Sequence, residues 1–368
     1  MKITSIRVFQ HDLPVADGPY VMSSGPVWAL DTTLVAVELD IGVVGWGETC
    51  PLGPTYAPAH AKGARAALEL LAPTLIGASV RSPRALQRRM DAALAGHAYA
   101  KAALEVGAYD ALGQSLGLRV VDLLGGAVCD DVPAYFAISV GAPDDMAREA
   151  AERAQEGYQR LQLKVGGRPL EVDIEAAHRV QEAVGPGVRL VLDANRGLTP
   201  GDAVTLSQAL RDRALTLEQP CDTLRELAQV RTRLCHPLYM DESAVDLATM
   251  VSAAGQGLVE GFGLKLTRMG GLGPMAAARD ICRAAGLRHT CDDSWGGDIV
   301  SAACVQVAAS VAPEQLDGVW IAQPHIEGHY DAVYGVRAEK GRIKVPSGPG
   351  LGLSIDPEQF GAPVAAYD

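Results

Sequence analysis

Five ionisable residues stand at regular intervals in the middle of the chain, each directly after a short apolar stretch. They are Lys164, Asp193, Glu218, Asp241 and Lys265, and the intervals between them run from 23 to 29 residues. Three carboxylates can hold a divalent cation, and a lysine on either side can remove or deliver a proton. The pattern therefore predicts a metal site flanked by two bases.

The apolar stretches before these residues are typical of buried parallel strands, and each interval between them holds a helix-like segment. The same pattern of an apolar strand followed by a helix-like segment begins at 132–140. It continues through 287–292 and, more weakly, 318–322. Eight such strands can close a barrel in which all carboxyl ends open on one face. We therefore expect an α/β fold with a modified (β/α)8 TIM-type barrel over residues 127–329, and the five residues at its mouth.

Residues 1–126 do not follow this strand–helix repeat. Their pattern predicts an α+β capping domain. Antiparallel strands fill most of the first 55 residues, and helices with apolar residues at three- and four-residue spacing follow them. Two loops rich in Gly and Pro, 16–29 and 50–58, are expected to lack regular structure and to act as lids. The tail, 330–368, carries strand and turn signals and is expected to return to the cap and complete it.

The composition limits the classes of partner. The chain has 368 residues, of which 48% are hydrophobic and 21% charged, with a formal net charge of −12. This charge argues against nucleic acid or an anionic membrane as the main partner, and no signal-peptide pattern or bilayer-spanning apolar run is present. We expect a cytoplasmic protein with a small-molecule substrate and reduced cysteines.

The ligand set Asp193, Glu218 and Asp241 contains oxygen atoms only, which favours Mg²⁺, with Mn²⁺ as a substitute. The alternative is that acidic residues at strand ends cap the helices that follow them. Three consecutive strands ending in this way argue against it. Glu242 should point away from Asp241 along the strand and is expected to support the ligands from behind.

Lys164 and Lys265 each end an apolar strand, where an ammonium is costly unless it is paired or used. They are either ion-pair partners of the carboxylates or proton carriers. The second interpretation is favoured because strands two and six of the barrel face each other across the mouth. A substrate carbon between them would meet one amine on each face. Burial and a nearby dication are expected to lower the pKa of each lysine and provide a neutral amine.

A set of motifs surrounds these residues: Ala-Tyr-Asp110, Leu-Leu-Gly-Gly126, Asp193-Ala-Asn, Glu218-Gln-Pro, Asp241-Glu-Ser and Lys265-Leu-Thr-Arg-Met-Gly-Gly271. The set resembles the enolase superfamily, in its muconate-lactonizing-enzyme subgroup, over essentially the whole chain. The resemblance implies a capped barrel that binds Mg²⁺. It also implies abstraction of the proton α to a carboxylate, giving an enediolate, with Lys164 and Lys265 as proton carriers.

One departure from the subgroup concerns strand two. The subgroup usually has Lys-x-Lys there, whereas this chain has Gln162-Leu-Lys164. Lys164 matches the reacting lysine, and Gln162 is expected to donate a hydrogen bond to the substrate carboxylate. The strand-seven histidine of mandelate-racemase-like members is absent, since Cys291-Asp292-Asp293 stands there.

Strand eight and the second loop bear on the substrate. Dipeptide epimerases of the subgroup hold an ammonium with an Asp-x-Asp on strand eight, where this chain has Val319-Trp320-Ile-Ala. An indole suits a quaternary ammonium, and Tyr56 is a candidate second aromatic wall. Asp292 or Asp293 is expected to attract the cation or bind a substrate hydroxyl. The alternatives are that Trp320 fills the core, Tyr56 packs its loop and the aspartates cap a helix.

The whole motif set, including Cys50-Pro-Leu-Gly-Pro-Thr-Tyr-Ala-Pro and Cys-Asp-Asp-Ser-Trp-Gly-Gly-Asp, is similar to that of 4-hydroxyproline betaine 2-epimerases, which also racemise proline betaine. A related activity, cis-3-hydroxy-L-proline dehydration, would use the same enolate and expel a β-hydroxyl. Other racemases or cycloisomerases of the subgroup, and a barrel that binds without turnover, stay open as alternatives. The resemblance also implies a homo-oligomer.

Overall fold

Antiparallel strands and helices make up the first part of the chain. The computed structural model describes residues 1–16, 18–22 and 25–368. β1 (Ile3–Pro14) pairs with β4 (Ala29–Leu39), and β4 with β5 (Val44–Thr49). Helix α3 (Ala98–Leu116) packs on β5 so closely that a Cβ on Gly47 would lie 1.8 Å from the Ala103 carbonyl oxygen, so only glycine fits there. In chain order the elements are β1 (Ile3–Pro14), β2 (Tyr20–Met22), β3 (Gly25–Val27), β4 (Ala29–Leu39), β5 (Val44–Thr49), α1 (Ala61–Leu75), α2 (Pro83–Ala93), α3 (Ala98–Leu116) and α4 (Val120–Leu123).

The first of the two predicted lid loops is partly regular. β2 and β3 pair as a short antiparallel hairpin, so the expectation that 16–29 lacks regular structure is wrong for the hairpin. Residues 17, 23 and 24 of this loop lie outside the described residues. A short two-stranded ribbon requires few ladder hydrogen bonds, which is why it tolerates Gly and Pro. The second loop, 50–58, contains turns and bends only.

Eight parallel strands follow one another in chain order and form the second sheet. They are β7 (Phe136–Ile138), β8 (Arg160–Lys164), β9 (Arg189–Asp193), β10 (Leu215–Glu218), β11 (Leu238–Met240), β12 (Gly261–Lys265), β13 (Arg288–Asp292) and β14 (Leu316–Gly318). Backbone hydrogen bonds join the two edges, from Tyr135 N to Val319 O (3.1 Å) and from Val319 N to Pro133 O (2.9 Å). The predicted α/β barrel class is confirmed.

Helices cover the outside of this sheet. They are α5 (Pro143–Gln155), α6 (Leu170–Val184), α7 (Pro200–Ala209), α8 (Leu224–Arg231), α9 (Leu247–Gly255), α10 (Leu266–Met269), α11 (Leu272–Ala285) and α12 (Asp298–Ala308). Most show a buried stripe and a polar face, but every residue of α12 is buried. Because α12 has no polar face, the spacing of apolar residues gave no signal for it.

The strand register brings the five ionisable residues to one end of the barrel. Lys164 lies opposite Asp193, Asp193 opposite Glu218, and Lys265 opposite Asp292. Parallel strands share one direction, so their carboxyl ends lie on the same face. β8 and β12 are four positions apart in the eight-strand order. Lys164 and Lys265 therefore stand on opposite sides of the mouth.

The C-terminal residues contact both parts of the molecule. β15 (Ala338–Glu339) and β16 (Arg342–Lys344) form a sheet with β6 (Asp131–Pro133), whereas β17 (Ala365–Tyr367) pairs with β1. The predicted first barrel strand, 132–140, is therefore divided, because Val132 pairs with Ile343 and only β7 joins the barrel. The boundaries 1–126, 127–329 and 330–368 stay a proposal that these pairings support.

Barrel strand eight begins earlier than the sequence predicted. β14 ends at Gly318, and the predicted stretch 318–322 continues into a 3-10 helix, Gln323–His325. Val319 bridges to Ala134, and the Trp320 N–H donates to the Asp292 side chain instead of a neighbouring strand. The segment that follows β14 is therefore held in place by the Asp292 side chain, one of the predicted site residues. A second 3-10 helix covers Pro357–Phe360.

Two buried carboxylates of the cap bind the N-termini of barrel helices. Glu48, on β5, accepts hydrogen bonds from Gly297 N (2.8 Å) and Val300 N (3.1 Å) at the start of α12. Glu105, on α3, accepts one from Gly273 N at the start of α11 (3.3 Å). Burial raises the pKa of Glu48 to about 7 and that of Glu105 to about 8. These contacts hold the cap over the barrel mouth.

The described ranges contain no helix that is long and apolar enough to cross a membrane. All seven cysteines are free thiols; Cys235 is exposed and Cys129 partly exposed. The cytoplasmic location and the homo-oligomer expected from the sequence stay predictions.

Candidate active site

A pocket at the barrel mouth brings together most of the residues singled out from the sequence. The predicted residues that line the pocket are Tyr56, Gln162, Lys164, Asp193, Asp241, Lys265, Asp293 and Trp320. Three further aromatic residues, Tyr20, Tyr135 and Trp295, also line it. The cap supplies Tyr20 and Tyr56, and the barrel supplies the rest. Glu218 and Asp292 are buried, with 2% and 0% of their surface exposed.

Lys164 is tied to the first candidate metal ligand. Its Nζ donates to Asp193 Oδ2 at 2.5 Å, and both side chains are almost fully buried. The other Asp193 oxygen, Oδ1, accepts a hydrogen bond from Asn195 N at 2.9 Å. Both oxygens of this carboxylate therefore have fixed donors.

Glu218 is held by two residues of β8. Gln162 Nε2 donates to Glu218 Oε2 at 3.0 Å, and Arg160 Nη2 lies 3.5 Å from the same oxygen. The amide that replaces the usual lysine thus contacts a candidate ligand, a role that was not expected for Gln162 from the sequence. The site lies inside the barrel, where an uncharged donor adds no further positive charge beside Arg160 and Lys164.

Asp241 connects the barrel to the cap loop. Its Oδ1 accepts a hydrogen bond from Arg268 Nη1 at 2.6 Å, and its Oδ2 accepts one from the Tyr56 hydroxyl at 3.3 Å. Lys265 Nζ lies 3.9 Å from Oδ2. Arg196 also fixes the loop, since its Nη2 donates to the Tyr56 carbonyl oxygen at 2.7 Å. Tyr56 is therefore a buried contact between the cap and the carboxylates, as well as part of the pocket lining.

The three carboxylates do not converge on one point. Within the described residues, no group of three Asp, Glu, His or Cys side chains forms a ready-made metal cage. Asp193, Glu218 and Asp241 each accept a hydrogen bond from a different protein donor. Burial, followed by the charges of Asp193 and Asp241, raises the pKa of Glu218 to about 8. The three carboxylates offer oxygen ligands only, which is the set that Mg²⁺ prefers.

Two residues that follow the strands of the candidate ligands have strained backbone conformations, and their side chains contact acidic residues of the site. Asn195 and Gln219 follow β9 and β10 with φ of 42° and 36°, in the left-handed region. The Asn195 amide donates to Asp193 (3.1 Å) and to Glu242 (2.9 Å), as expected for a Glu242 behind the ligands. Gln219 Oε1 accepts a hydrogen bond from Asp241 N (3.0 Å). The strained turns thus place side-chain amides against three acidic residues.

The protein groups alone do not produce the lowering of the lysine pKa values that was expected from burial and a dication together. Burial would lower the pKa of Lys164 and Lys265, but the charges of Asp193 and Asp241 respectively, with other neighbours, raise both above the ordinary range. The expectation rested on burial and a dication, yet the buried acidic neighbours of each lysine outweigh burial. Each lysine is therefore an ammonium held by acidic partners.

Asp292 is occupied by protein donors. Its Oδ1 accepts a hydrogen bond from Trp320 N (2.6 Å), and its Oδ2 accepts bonds from the Tyr135 hydroxyl (2.9 Å) and from Lys265 Nζ (3.5 Å). The Thr290 hydroxyl also donates to Oδ2. This fully buried carboxylate faces Lys265 and does not line the pocket, which argues against the expected direct contact with substrate.

Asp293, the alternative to Asp292, does line the pocket, but its carboxylate is also engaged. Oδ2 accepts from Thr267 N (2.9 Å), and Oδ1 accepts from the Thr267 hydroxyl (2.6 Å) and Ser294 N (2.6 Å). Two of these bonds go to the first turn of α10, and the third goes to the residue after Asp293. The bonds to Thr267 correspond to the capping role that was the alternative interpretation of the sequence.

Aromatic rings form the other side of the pocket. Trp320 lies edge-to-face with Trp295 (5.3 Å, 84°) and stacks on His325 (5.8 Å, 24°). Tyr20, on the hairpin, lies edge-to-face with Trp295 (5.3 Å, 79°). Trp320 is therefore both packed and part of the lining, while Tyr20 and His325 were missed. Tyr20 stands in a loop stretch without periodicity, so no sequence signal pointed to it.

The family matches agree with this architecture. Residues 3–125 match the mandelate racemase/muconate lactonizing enzyme N-terminal domain, and residues 145–359 match the enolase C-terminal domain-like family. The chain belongs to the enolase superfamily, in the mandelate racemase/muconate lactonizing enzyme group. The subgroup resemblance seen in the motifs is confirmed at this level.

Individual relatives narrow the class of reaction. A cis-3-hydroxy-L-proline dehydratase from Roseibium aggregatum is 39% identical, with 100% of both chains covered. A hydrophobic dipeptide epimerase from Enterococcus faecalis is 31% identical over 78% of this chain and 81% of its own. A crystal structure of an enolase-superfamily member from Roseovarius nubinhibens, complexed with magnesium, is 37% identical with a TM-score of 0.94 and covers 100% and 99% of the two chains. The chain is thus an enzyme of the racemase, epimerase or dehydratase type.

Proposed function

We propose that this enzyme catalyses Mg²⁺-dependent 1,1-proton transfer at C2 of 4-hydroxyproline betaine and proline betaine, through an enediolate. One observation carries the proposal: a single pocket combines two lysines on opposite sides of the barrel mouth with an aromatic wall. The lysines suit inversion at a carbon between them, and the rings suit a cation without N–H donors.

Lys164 and Lys265 would carry the two proton transfers. One lysine would act as a neutral amine once bound Mg²⁺ offsets the charge of the carboxylates that hold it as an ammonium. This amine takes the proton from C2, and the electron pair of the broken C–H bond passes into the carboxylate to give the enediolate. The ammonium of the other lysine returns a proton to C2 from the opposite face, so the configuration inverts. The starting epimer decides which lysine is the base. The quaternary nitrogen raises the acidity of the C2 proton and is itself unchanged.

Asp193, Glu218 and Asp241 would hold the metal, and bound Mg²⁺ supplies Lewis-acid stabilisation of the charge that develops on the substrate carboxylate. Their register at successive strand ends and their oxygen-only chemistry support this assignment. Gln162 would orient Glu218 with one N–H. The same amide lines the pocket, so its second N–H can serve the substrate carboxylate.

The aromatic wall supports a betaine over a secondary ammonium. A secondary ammonium needs hydrogen-bond acceptors, whereas the oxygens of Asp292 and Asp293 already accept bonds from protein donors. Trp320 and Tyr56 would instead offer ring faces to the N-methyl groups. Asp292 would act on the substrate through Lys265 and not by direct contact.

Dehydration of cis-3-hydroxy-L-proline is the second candidate, and the 39% identity to the Roseibium enzyme over the full length favours it. It would begin with the same proton abstraction. The β-hydroxyl would then leave with a proton from an acid of the site, and a C2–C3 double bond would form.

A proton NMR time course in D₂O with Mg²⁺ separates the candidates. 4-Hydroxyproline betaine, proline betaine and cis-3-hydroxy-L-proline are incubated side by side with the enzyme. Loss of the betaine C2 proton signal with appearance of the C2 epimer is expected. Conversion of only the 3-hydroxy acid to a dehydrated product would assign the enzyme to the dehydratases, and absence of reaction with all three would remove the substrate assignment.

A further inference from the structure

A chain of contacts runs from the barrel interior to one of the two lysines. The Arg160 guanidinium carbon lies 3.8 Å from the centre of the Tyr135 ring. The Tyr135 hydroxyl donates to Asp292 Oδ2 (2.9 Å), and Lys265 Nζ donates to the same oxygen (3.5 Å). Lys164 on the opposite side is bonded directly to Asp193 and is not part of this chain.

Arg160 is unusual because it is buried without conventional hydrogen bonds. Only 2% of its surface is exposed, and within the described residues none of its three guanidinium nitrogens has a hydrogen-bond partner. A buried cation of this kind is costly unless nearby charges or ring faces compensate it. Glu218, at 3.5 Å, and the Tyr135 ring provide that compensation. The ring therefore has one favoured position.

The hydroxyl of Tyr135 is fixed by the same arrangement. The ring lies against the Arg160 guanidinium and lines the pocket, and its hydroxyl donates to Asp292 Oδ2. Asp292 in turn has both oxygens engaged, one by Trp320 N and the other by Tyr135, Thr290 and Lys265. A carboxylate restrained in this way holds the ammonium of Lys265 in one place.

We propose that Tyr135 is a positioning residue for the Lys265 half of the reaction: its hydroxyl fixes Asp292, and Asp292 fixes Lys265. The inference rests on the proposed function, since it assumes that each lysine serves one face of C2. The two half-reactions then differ in their dependence on Tyr135. Proton transfer by Lys265 requires the hydroxyl for its geometry, whereas proton transfer by Lys164 does not.

The test measures exchange of the C2 proton of each 4-hydroxyproline betaine epimer in D₂O with Mg²⁺ at early times. Lys265→Ala identifies the epimer whose exchange depends on that lysine. In Tyr135→Phe, which keeps the ring on Arg160, exchange of this epimer is expected to slow about 10- to 100-fold, in kcat and not in KM. Exchange of the other epimer should stay within about twofold of the wild type, since only the hydrogen bond on the Lys265 side is lost.

Tyr239→Phe is the matched control. Its hydroxyl donates to Asp317 Oδ2 (2.6 Å) inside the same barrel, but Tyr239 is not among the residues found lining the pocket. Equal thermal midpoints of the two variants would show that both fold. In Tyr135→Phe, equal slowing of C2 proton exchange for both epimers, or no slowing for either, would overturn the inference. The proposed function would still stand, since the wild type would still exchange the C2 proton. Absence of exchange in the wild type would overturn the proposed function and the inference together.

Discussion

The two sides of the pocket are built differently. The charged side comes from the ends of barrel strands, where Lys164 and Lys265 are bound to buried carboxylates. The aromatic side combines the cap hairpin with the segments after β13 and β14, and its rings contact one another edge-to-face. Ion pairs at strand ends leave little freedom, whereas rings on loops can be exchanged without changing the barrel. Under the proposed function, the charged side would carry the proton transfers and the aromatic side would select the substrate.

The separation is not complete, because two residues connect the sides. Tyr56 belongs to the aromatic set, yet its hydroxyl donates to Asp241. Asp292 holds Lys265 with one oxygen and the backbone of Trp320 with the other. Substitutions at these two positions should therefore disturb both proton transfer and substrate binding.

Removal of the metal should have the largest effect on the charged side. Exhaustive chelation is expected to abolish epimerisation, and added Mg²⁺ should restore it, because the charge on the substrate carboxylate would otherwise be uncompensated. Calorimetric titration with Mg²⁺ should show weaker binding to Asp193→Asn than to the wild type. Full activity of the chelated protein would exclude the three carboxylates as an essential metal site.

Replacement of either reacting lysine should have the second largest effect on epimerisation. Lys164→Ala and Lys265→Ala are each expected to slow epimerisation about 10²- to 10⁴-fold, because inversion needs a proton carrier on both faces. Exchange of one epimer with D₂O should persist in each variant. Lys101→Ala, which removes a buried lysine paired with Asp91 at a distance from the pocket, is the control. Loss of activity in that variant as well would point to a folding defect.

Replacement of Trp320 tests the aromatic side by itself. Trp320→Leu is expected to raise KM for the betaines about 2- to 30-fold, the range of a desolvated cation–π contact, with a smaller change in kcat. Trp320→Phe should retain part of the affinity. Trp28, which is 66% exposed, supplies the control variant Trp28→Leu. An unchanged KM in Trp320→Leu would contradict contact between the indole and the substrate cation.

The smallest effect concerns Glu105, whose contact with the start of α11 holds the cap, and with it the aromatic residues of the cap, over the barrel. Burial raises the pKa of Glu105 from 4.5 to about 8 in the folded protein. Between these values the folded state binds more protons than the unfolded chain, so the free energy of unfolding should fall as pH rises from about 5 to 8. Glu105→Gln keeps an acceptor for Gly273 N and should flatten this dependence, measured by denaturant unfolding.

The control for that measurement is Glu69→Gln, which removes an exposed carboxylate of α1. Its pH dependence should follow the wild type. A slope in Glu105→Gln equal to that of the wild type would show that Glu105 does not titrate between the folded and unfolded states.

Much of the charged side was predictable because the signal for it lies in short stretches of neighbouring residues. A polar residue directly after an apolar strand can be recognised from neighbouring residues, and parallel strands then bring such residues together. The aromatic side was less accessible, since Trp320 and Tyr56 were recognised only through resemblance and Tyr20 not at all. Most partners of Gln162 and Asp292 were also missed, because Glu218 lies 56 residues from Gln162, and Lys265 and Trp320 lie 27 and 28 residues from Asp292.

The barrel, the order of its strands and the five residues at its mouth follow from local spacing, because the alternation of apolar and polar residues repeats with each strand and helix. The charge state of the lysines and the direction in which each carboxylate points follow only from the folded molecule. Those properties depend on distances between side chains from different strands, on burial and on the competition among several donors for one oxygen. Such competition has no counterpart in local spacing.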